Sequence, residues 1–292
     1  MCNRSMNMIL PQQLEGSFRQ RPVDADKYSV GTVAVVGGSD RFANAPVMAG
    51  LGARVAGAGL VSLVAPNVSR LAMGALLPEA TFTKLSSECV PPRADVIVAG
   101  MGLGTDGFAE GTVTRLLSGG CGRLVLDADA LTILSAGAAR GERSVPAAGK
   151  EVVLTPHEGE AARLLGCSRE SVASDRMSAA KEIARRYGAT VVLKGAGTIV
   201  VSADCSLTYI NQTGNPFMAL GGMGDLLAGM IGARWAYLKG DPFLAASSAV
   251  WLHGAASDRV VSSPRDASIV NTAAEAGSLR VMLDSSGGRL LP

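Results

Sequence analysis

A mainly parallel β-sheet covered by helices on both faces is the α/β architecture this chain predicts. Three observations carry it. Short β-branched runs, apolar on both faces, alternate with longer Ala-rich segments. The 292 residues are 48% hydrophobic and 18% charged, which supports a sizeable core. The glycine and polar clusters that follow the strands lie at their carboxyl ends, where open α/β sheets bind ligands. With 4% aromatic residues and 36 glycines, the interior rests on Ala, Val, Leu and close backbone packing.

Residues 1–27 are polar, with Gln12, Gln13, Arg19, Gln20 and Arg21, and read as an N-terminal arm, partly disordered or used in assembly. Residues 28–292 show no internal repeat, low-complexity tract or linker and read as a single domain. Thr32–Val36 is the first strand and ends in Gly37, Gly38 and Ser39. Residues 45–58 form a small-residue helix, and Leu60–Ala65 is the next strand. The strand at 95–99 runs into Gly100, Met101, Gly102, Leu103 and Gly104; Arg123–Leu126 ends at Asp127, Ala128 and Asp129. The strand at 152–155 ends at Pro156, His157 and Glu158, and that at 191–193 at Lys194, Gly195, Ala196 and Gly197. The last third holds a glycine-rich turn, the apolar helix after it, and two or three more helices to about Leu283.

Several function classes drop out. A net charge of +2, spread without a basic block, leaves no electrostatic footprint for nucleic acid. The five cysteines (Cys2, Cys89, Cys121, Cys167, Cys205) are scattered, no CxxC occurs, and His is found only at 157 and 253. That argues against a zinc site and for reduced thiols in the cytoplasm. No signal peptide and no membrane-spanning helix are expected. The turn after the first strand is not GxGxxG, no acidic residue closes the second strand, and GxxxxGK[ST] is missing, so neither a dinucleotide fingerprint nor a P-loop is present.

The remaining clusters suggest chemistry. Gly221, Gly222 and Gly224 can take positive φ and let a ligand reach bare backbone, and the unpaired N–H groups of the helix that follows favour an anion. Asp225 repels phosphate, so it acts as a base beside the anion hole or simply caps the helix. The loop at 100–104 lets a flat ligand touch the main chain or is only a tight turn. Asp129 suits a helix cap better than a ligand role, and Asp127 stays open between them. A lone His such as His157 is a satisfied structural residue or a ligand-binding one, and its place at a strand end among the other clusters favours binding. Glu160 holds a phosphate-bound magnesium through water or serves the helix dipole. Lys194 to Thr198 suit a nucleotide phosphate or ribose, or a hairpin turn into 199–201.

In this order the clusters resemble the ribokinase-like superfamily and, more closely, the ADP/ATP-dependent NAD(P)H-hydrate dehydratase family. The resemblance spans about residues 28–260 and rests on the combination, from Val35-Val36-Gly37-Gly38-Ser39 through Thr155-Pro156-His157-Glu158-Gly159-Glu160 and Val192-Leu193-Lys194-Gly195-Ala196-Gly197-Thr198 to Gly224-Asp225. It implies a ribokinase-like fold and a lyase that restores NADH or NADPH from the hydrated forms, NADHX and NADPHX, consuming ADP or ATP with Mg2+. By this analogy Asp225 is the catalytic base, and Gly222 and Gly224 stabilise the transferred phosphoryl group. Ala45, Gly104 and His157 line the hydrated-dinucleotide site. Lys194, Gly195, Ala196, Gly197, Thr198 and Gly224 bind the nucleotide, and Glu160 serves the metal indirectly. A homo-oligomer of four or more subunits and a separate epimerase partner are also implied. The chain departs from the family at Met223, where Thr is usual near the phosphates, and at Asn44, the segment 40–43 and Phe217. Two other readings stay open: a small-molecule kinase with the same base, against which His157 and the loop at 100–104 argue, and a nucleotide sensor without turnover, which Met223 and Asn44 keep alive.

Overall fold

The computed structural model describes residues 7–9, 11–14, 16–141, 149–263 and 266–288. Its strands are β1 (Asn7–Met8), β2 (Thr32–Val36), β3 (Leu60–Ala65), β4 (Thr81–Lys84), β5 (Val96–Ala99), β6 (Arg123–Leu126), β7 (Glu151–Leu154), β8 (Thr190–Leu193), β9 (Ile199–Val201) and β10 (Thr208–Ile210). Between and after them lie α1 (Ala45–Val55), α2 (Arg70–Leu76), α3 (Gly107–Ser118), α4 (Asp129–Ala139), α5 (Glu158–Leu165), α6 (Arg169–Ser174), α7 (Arg176–Tyr187), α8 (Met223–Leu238), α9 (Pro242–Val261) and α10 (Ile269–Ser285).

The strands form one sheet in the order β1-β10-β9-β8-β7-β6-β5-β2-β3-β4. Pairing from β8 through β4 is parallel throughout; β9 is antiparallel to both β8 and β10. Successive side chains of a strand point to opposite faces, and here they enter two separate cores. Val33, Val35, Val61, Val96 and Val98 pack with α1, α8, α9 and α10, while Ala34, Val36, Ile97, Leu124 and Leu126 pack with α3, α4, α5 and α7. Burial on both faces is what made these strands read as continuous apolar runs. Strand order reverses between β2 and β5, so the loops after them flank the crevice where such sheets hold ligands.

Glycines let α1 and α8 pack backbone to backbone. A Cβ on Gly229 would overlap the Ala49 carbonyl, and one on Gly52 would overlap that of Leu226. Because those contacts are main chain, they cannot yield by a rotamer change. Gly229→Ala is therefore expected to destabilise the fold by about 3 kcal/mol, read as a lower urea midpoint with an unchanged slope.

The arm expected at 1–27 is, in its described part, docked on the domain. Leu14 and Phe18 are buried; the Phe18 ring meets Trp251 edge-on at 6.4 Å, and the Arg234 guanidinium stacks over it at 4.6 Å. The Arg234 guanidinium also donates to the Ser17 carbonyl. Among the described residues the cysteines 89, 121, 167 and 205 are free thiols, and no helix is long and apolar enough to cross a membrane.

Candidate active site

The carboxyl ends of β6, β7 and β8 converge on one ion cluster. Ala128 carries a positive φ of 50°, unusual for a residue with a Cβ, and this bend sends its two neighbours to different tasks. Asp127 points to β8, where its Oδ1 accepts from Lys194 Nζ at 2.6 Å. Asp129 begins α4 without capping it, and its Oδ2 accepts the Gly104 N–H at 2.8 Å. The capping expected of Asp129 therefore gives way to a tie between two ligand-side loops.

Glu160 joins from α5. It is buried, its Oε2 accepts the His157 N–H at 2.7 Å, and the same oxygen lies 3.9 Å from Lys194 Nζ. His157 completes a capping box, with Nδ1 accepting from the Gly159 and Glu160 N–H groups. Its own ring is exposed beyond that bond, and burial together with the Lys194 charge lowers its pKa, which favours the neutral imidazole.

Asp225 sits on the first turn of α8, three residues after Gly222, whose φ is 97°. Burial pushes its carboxyl up to about 7, with the Asp127 charge adding to the rise and Lys194 opposing it. Lys194 lies among Asp127, Glu160 and Asp225; burial disfavours its charge, yet Asp127 and Glu160 outweigh that and raise its pKa. Burial likewise raises Glu160, Lys194 working against it. A Cβ on Gly224 would stand 3.3 Å from Lys194 Nζ and 3.9 Å from Asp127 Oδ2, so this backbone closes over the ion pair. Chemically, the cluster offers a carboxylate tuned to titrate near neutrality beside backbone donors at a helix start.

Of the residues expected on the dinucleotide side, Ala45 and Gly104 lie at the switch point, while His157 follows β7. Ala45 opens α1 next to Gly102, and Gly104 lies on the same loop at φ 86°. Phe42 packs on Gly102 and is half exposed. On the other side, Gly195 and Gly197 take positive φ, and Thr198 Oγ1 donates to the Gly195 carbonyl at 2.9 Å; β9 follows, so the hairpin reading of 194–198 also holds. Lys194 itself is paired with Asp127 and lies within reach of Glu160. Met223, the departure expected to matter at the phosphates, is buried in the core. Two partners escaped the sequence reading. Asp127 was left open because its partner lies 67 residues away. Arg176 was not singled out, although a basic residue starting a helix runs against the dipole.

A family model described as NAD(P)H-hydrate dehydratase matches residues 33–275. The chain belongs to this family. It is 41% identical over 244 residues to the ADP-dependent (S)-NAD(P)H-hydrate dehydratase of Neisseria meningitidis, covering 82% of this chain and 81% of that protein. It is 36% identical over 250 residues to the bifunctional NAD(P)H-hydrate repair enzyme of Escherichia coli, covering 85% of this chain and 46% of the relative. Among solved structures, the ADP/ATP-dependent NAD(P)H-hydrate dehydratase of Bacillus subtilis, co-crystallised with ATP and Mg2+, superposes with a TM-score of 0.84 at 27% identity. That match spans 94% of this chain and 98% of the other. The fold is therefore ribokinase-like, as the resemblance implied.

Proposed function

We propose that this chain dehydrates the S-epimer of hydrated NADH and NADPH, consuming ADP (or ATP) and releasing AMP (or ADP) and phosphate. The observation that carries the reading is Asp225, a carboxyl held near neutrality on the first turn of α8, directly beside Gly222 and Gly224. In its ionised form Asp225 takes the proton from the substrate's C6 hydroxyl as that oxygen attacks the terminal phosphoryl group. The N–H groups of Gly222 and Gly224 meet the charge developing on that group. The C6–O bond then breaks with loss of phosphate, driven by the ring-nitrogen lone pair, and the resulting iminium releases its C5 proton to solvent, which restores the dihydronicotinamide. Ala45, Gly104 and His157 line the substrate side; residues 194–198 and Gly224 serve the nucleotide.

A nucleotide-bound Mg2+ fits this site. The surplus of Asp127, Glu160 and Asp225 over Lys194 calls for positive charge, yet no group of three or more metal ligands stands ready among the described residues. Phosphates and water would thus hold the ion, with Glu160 contacting it through water. When bound, it neutralises charge on the transferring phosphoryl group. The donor named for the Neisseria relative supports ADP. The bifunctional relatives support an epimerase as partner, and a cytoplasmic homo-oligomer completes the reading.

The test is recovery of dihydronicotinamide absorbance from NADHX with ADP and Mg2+. Recovery that requires the nucleotide supports the dehydratase. A phosphorylated product without recovery would point to a kinase, and nucleotide binding without any turnover to a sensor.

A further inference from the structure

Arg176, the first residue of α7, lies outside every cluster considered so far, yet its guanidinium gathers one loop. Its Nη1 donates to the carbonyls of Ala196 at 2.6 Å and Gly197 at 3.3 Å. Its Nη2 donates to those of Leu193 at 3.3 Å and Lys194 at 3.1 Å. The side chain is largely buried, and Nε faces Glu158 Oε1 at 3.5 Å. Glu158 is the first residue of α5, directly after His157. One guanidinium therefore links the loop after β8 to the helix that starts at the dinucleotide side.

The loop's geometry gives this contact a consequence. In a trans peptide the carbonyl of one residue and the N–H of the next point in opposite directions, and no cis bond occurs among the described residues. Drawing the Lys194 and Ala196 carbonyls toward Arg176 turns the Gly195 and Gly197 N–H groups away from it. Neither of those amides has an acceptor within the described chain, and both residues are at positive φ, 142° and 65°. Two outward amides on one loop offer donors to an anion or a hydroxyl. A Cβ on Gly195 would stand 2.7 Å from Arg176 Nη2, so the loop is fitted to the guanidinium.

We propose that Arg176 is the positioning residue of the nucleotide loop: it holds the carbonyls of 193–197 inward so that the amides of Gly195 and Gly197 meet the phosphate or ribose of the adenine nucleotide. This rests on reading residues 194–198 as the nucleotide side. Arginine is required because a planar fork of five donors reaches four carbonyls at once, while a lysine ammonium has three donors on a point. The Glu158 ion pair orients the fork and couples the loop to α5.

Calorimetric titration with ADP and with the non-hydrolysable analogue AMP-PNP tests it, alongside steady-state kinetics. In Arg176→Ala, nucleotide affinity is expected to fall on the order of ten- to hundredfold. The KM for nucleotide should rise by the same order while the KM for NADHX stays at its wild-type value. Arg176→Lys should recover only part of the loss, and Glu158→Gln should lose less than Arg176→Ala. If the alanine variant does not fold, the lysine variant decides: affinity equal to wild type overturns the proposal. Equal loss of nucleotide and NADHX affinity with a lowered melting temperature also overturns it, because that is a general structural effect. Wild-type protein that binds neither ADP nor AMP-PNP would remove the nucleotide reading and this proposal with it. A wild type that binds nucleotide while Arg176→Ala binds equally well would leave that reading standing and remove only the clamp.

Discussion

Asp225→Asn is expected to reduce turnover by about 10³-fold while leaving ADP bound, and bound more tightly, because the variant removes a carboxylate that repels phosphate. The amide keeps the shape of the side chain but cannot accept a proton. In the wild type the base must be ionised, and burial among Asp127 and Asp129 pushes its carboxyl up to about 7. The rate should therefore climb as pH rises through about 7 and level off above it. Stability should move the other way. A carboxyl that titrates near 3.8 in the unfolded chain and about 7 in the folded one makes the folded state the better proton binder across that window. Folding stability is then fully present below the window and is lost as pH rises through it. Three pH units set an upper bound of about 4 kcal/mol. Asn escapes this loss, so the variant should melt higher than wild type at pH 8 and no higher at pH 4. A rate independent of pH between 6 and 8, or an Asn variant that still turns over, would remove Asp225 from the role of base.

Lys194→Met is the second large effect, and it strikes fold and chemistry together. The ammonium is the counter-charge for Asp127 at 2.6 Å and Glu160 at 3.9 Å, and its charge also lowers the pKa of Asp225. Removing it leaves three carboxyls facing one another in a buried cluster, which destabilises the protein by about 3 kcal/mol. The Asp225 pKa should then rise further, moving the pH–rate profile to the alkaline side. Denaturation and rate profiles on the same variant read both effects. Asp127→Asn combined with Lys194→Met should be more stable than Lys194→Met alone, because one of the stranded charges is gone. If the single and double variants have equal stability, the ion pair is not what holds these strand ends together.

Much of the frame is legible in the sequence. β2, β3 and β6 fall at the expected residues, β5 and β8 differ by one residue at their start, and β7 is shifted by one residue at both ends, because strands buried on both faces are unbroken apolar runs. β4 (Thr81–Lys84) was not read, and the reason is physical. It is an edge strand of alternating polar residues, mostly exposed, without the apolar run that marks a central strand. β10 is half-buried and short, and β1 pairs only with β10. The N-terminal segment was read as an arm because its composition is polar. Its packing rests on the buried side chains of Ile9, Leu14 and Phe18, the last held by Trp251 and Arg234 far along the chain.

The same division runs through the candidate site. The sequence by itself determined which residue types stand at the strand ends: the glycines that bare the backbone, the carboxyls at 127, 129, 160 and 225, and the lysine at 194. Those are properties of local pattern, since each follows a buried strand or opens a helix. Tertiary structure alone decided how they pair. Asp127 meets Lys194, Asp129 meets Gly104, Arg176 meets four carbonyls, and Met223 turns into the core. A hydrogen bond or a charge shift depends on distance and burial, and neither exists until strands remote in sequence lie side by side in the sheet.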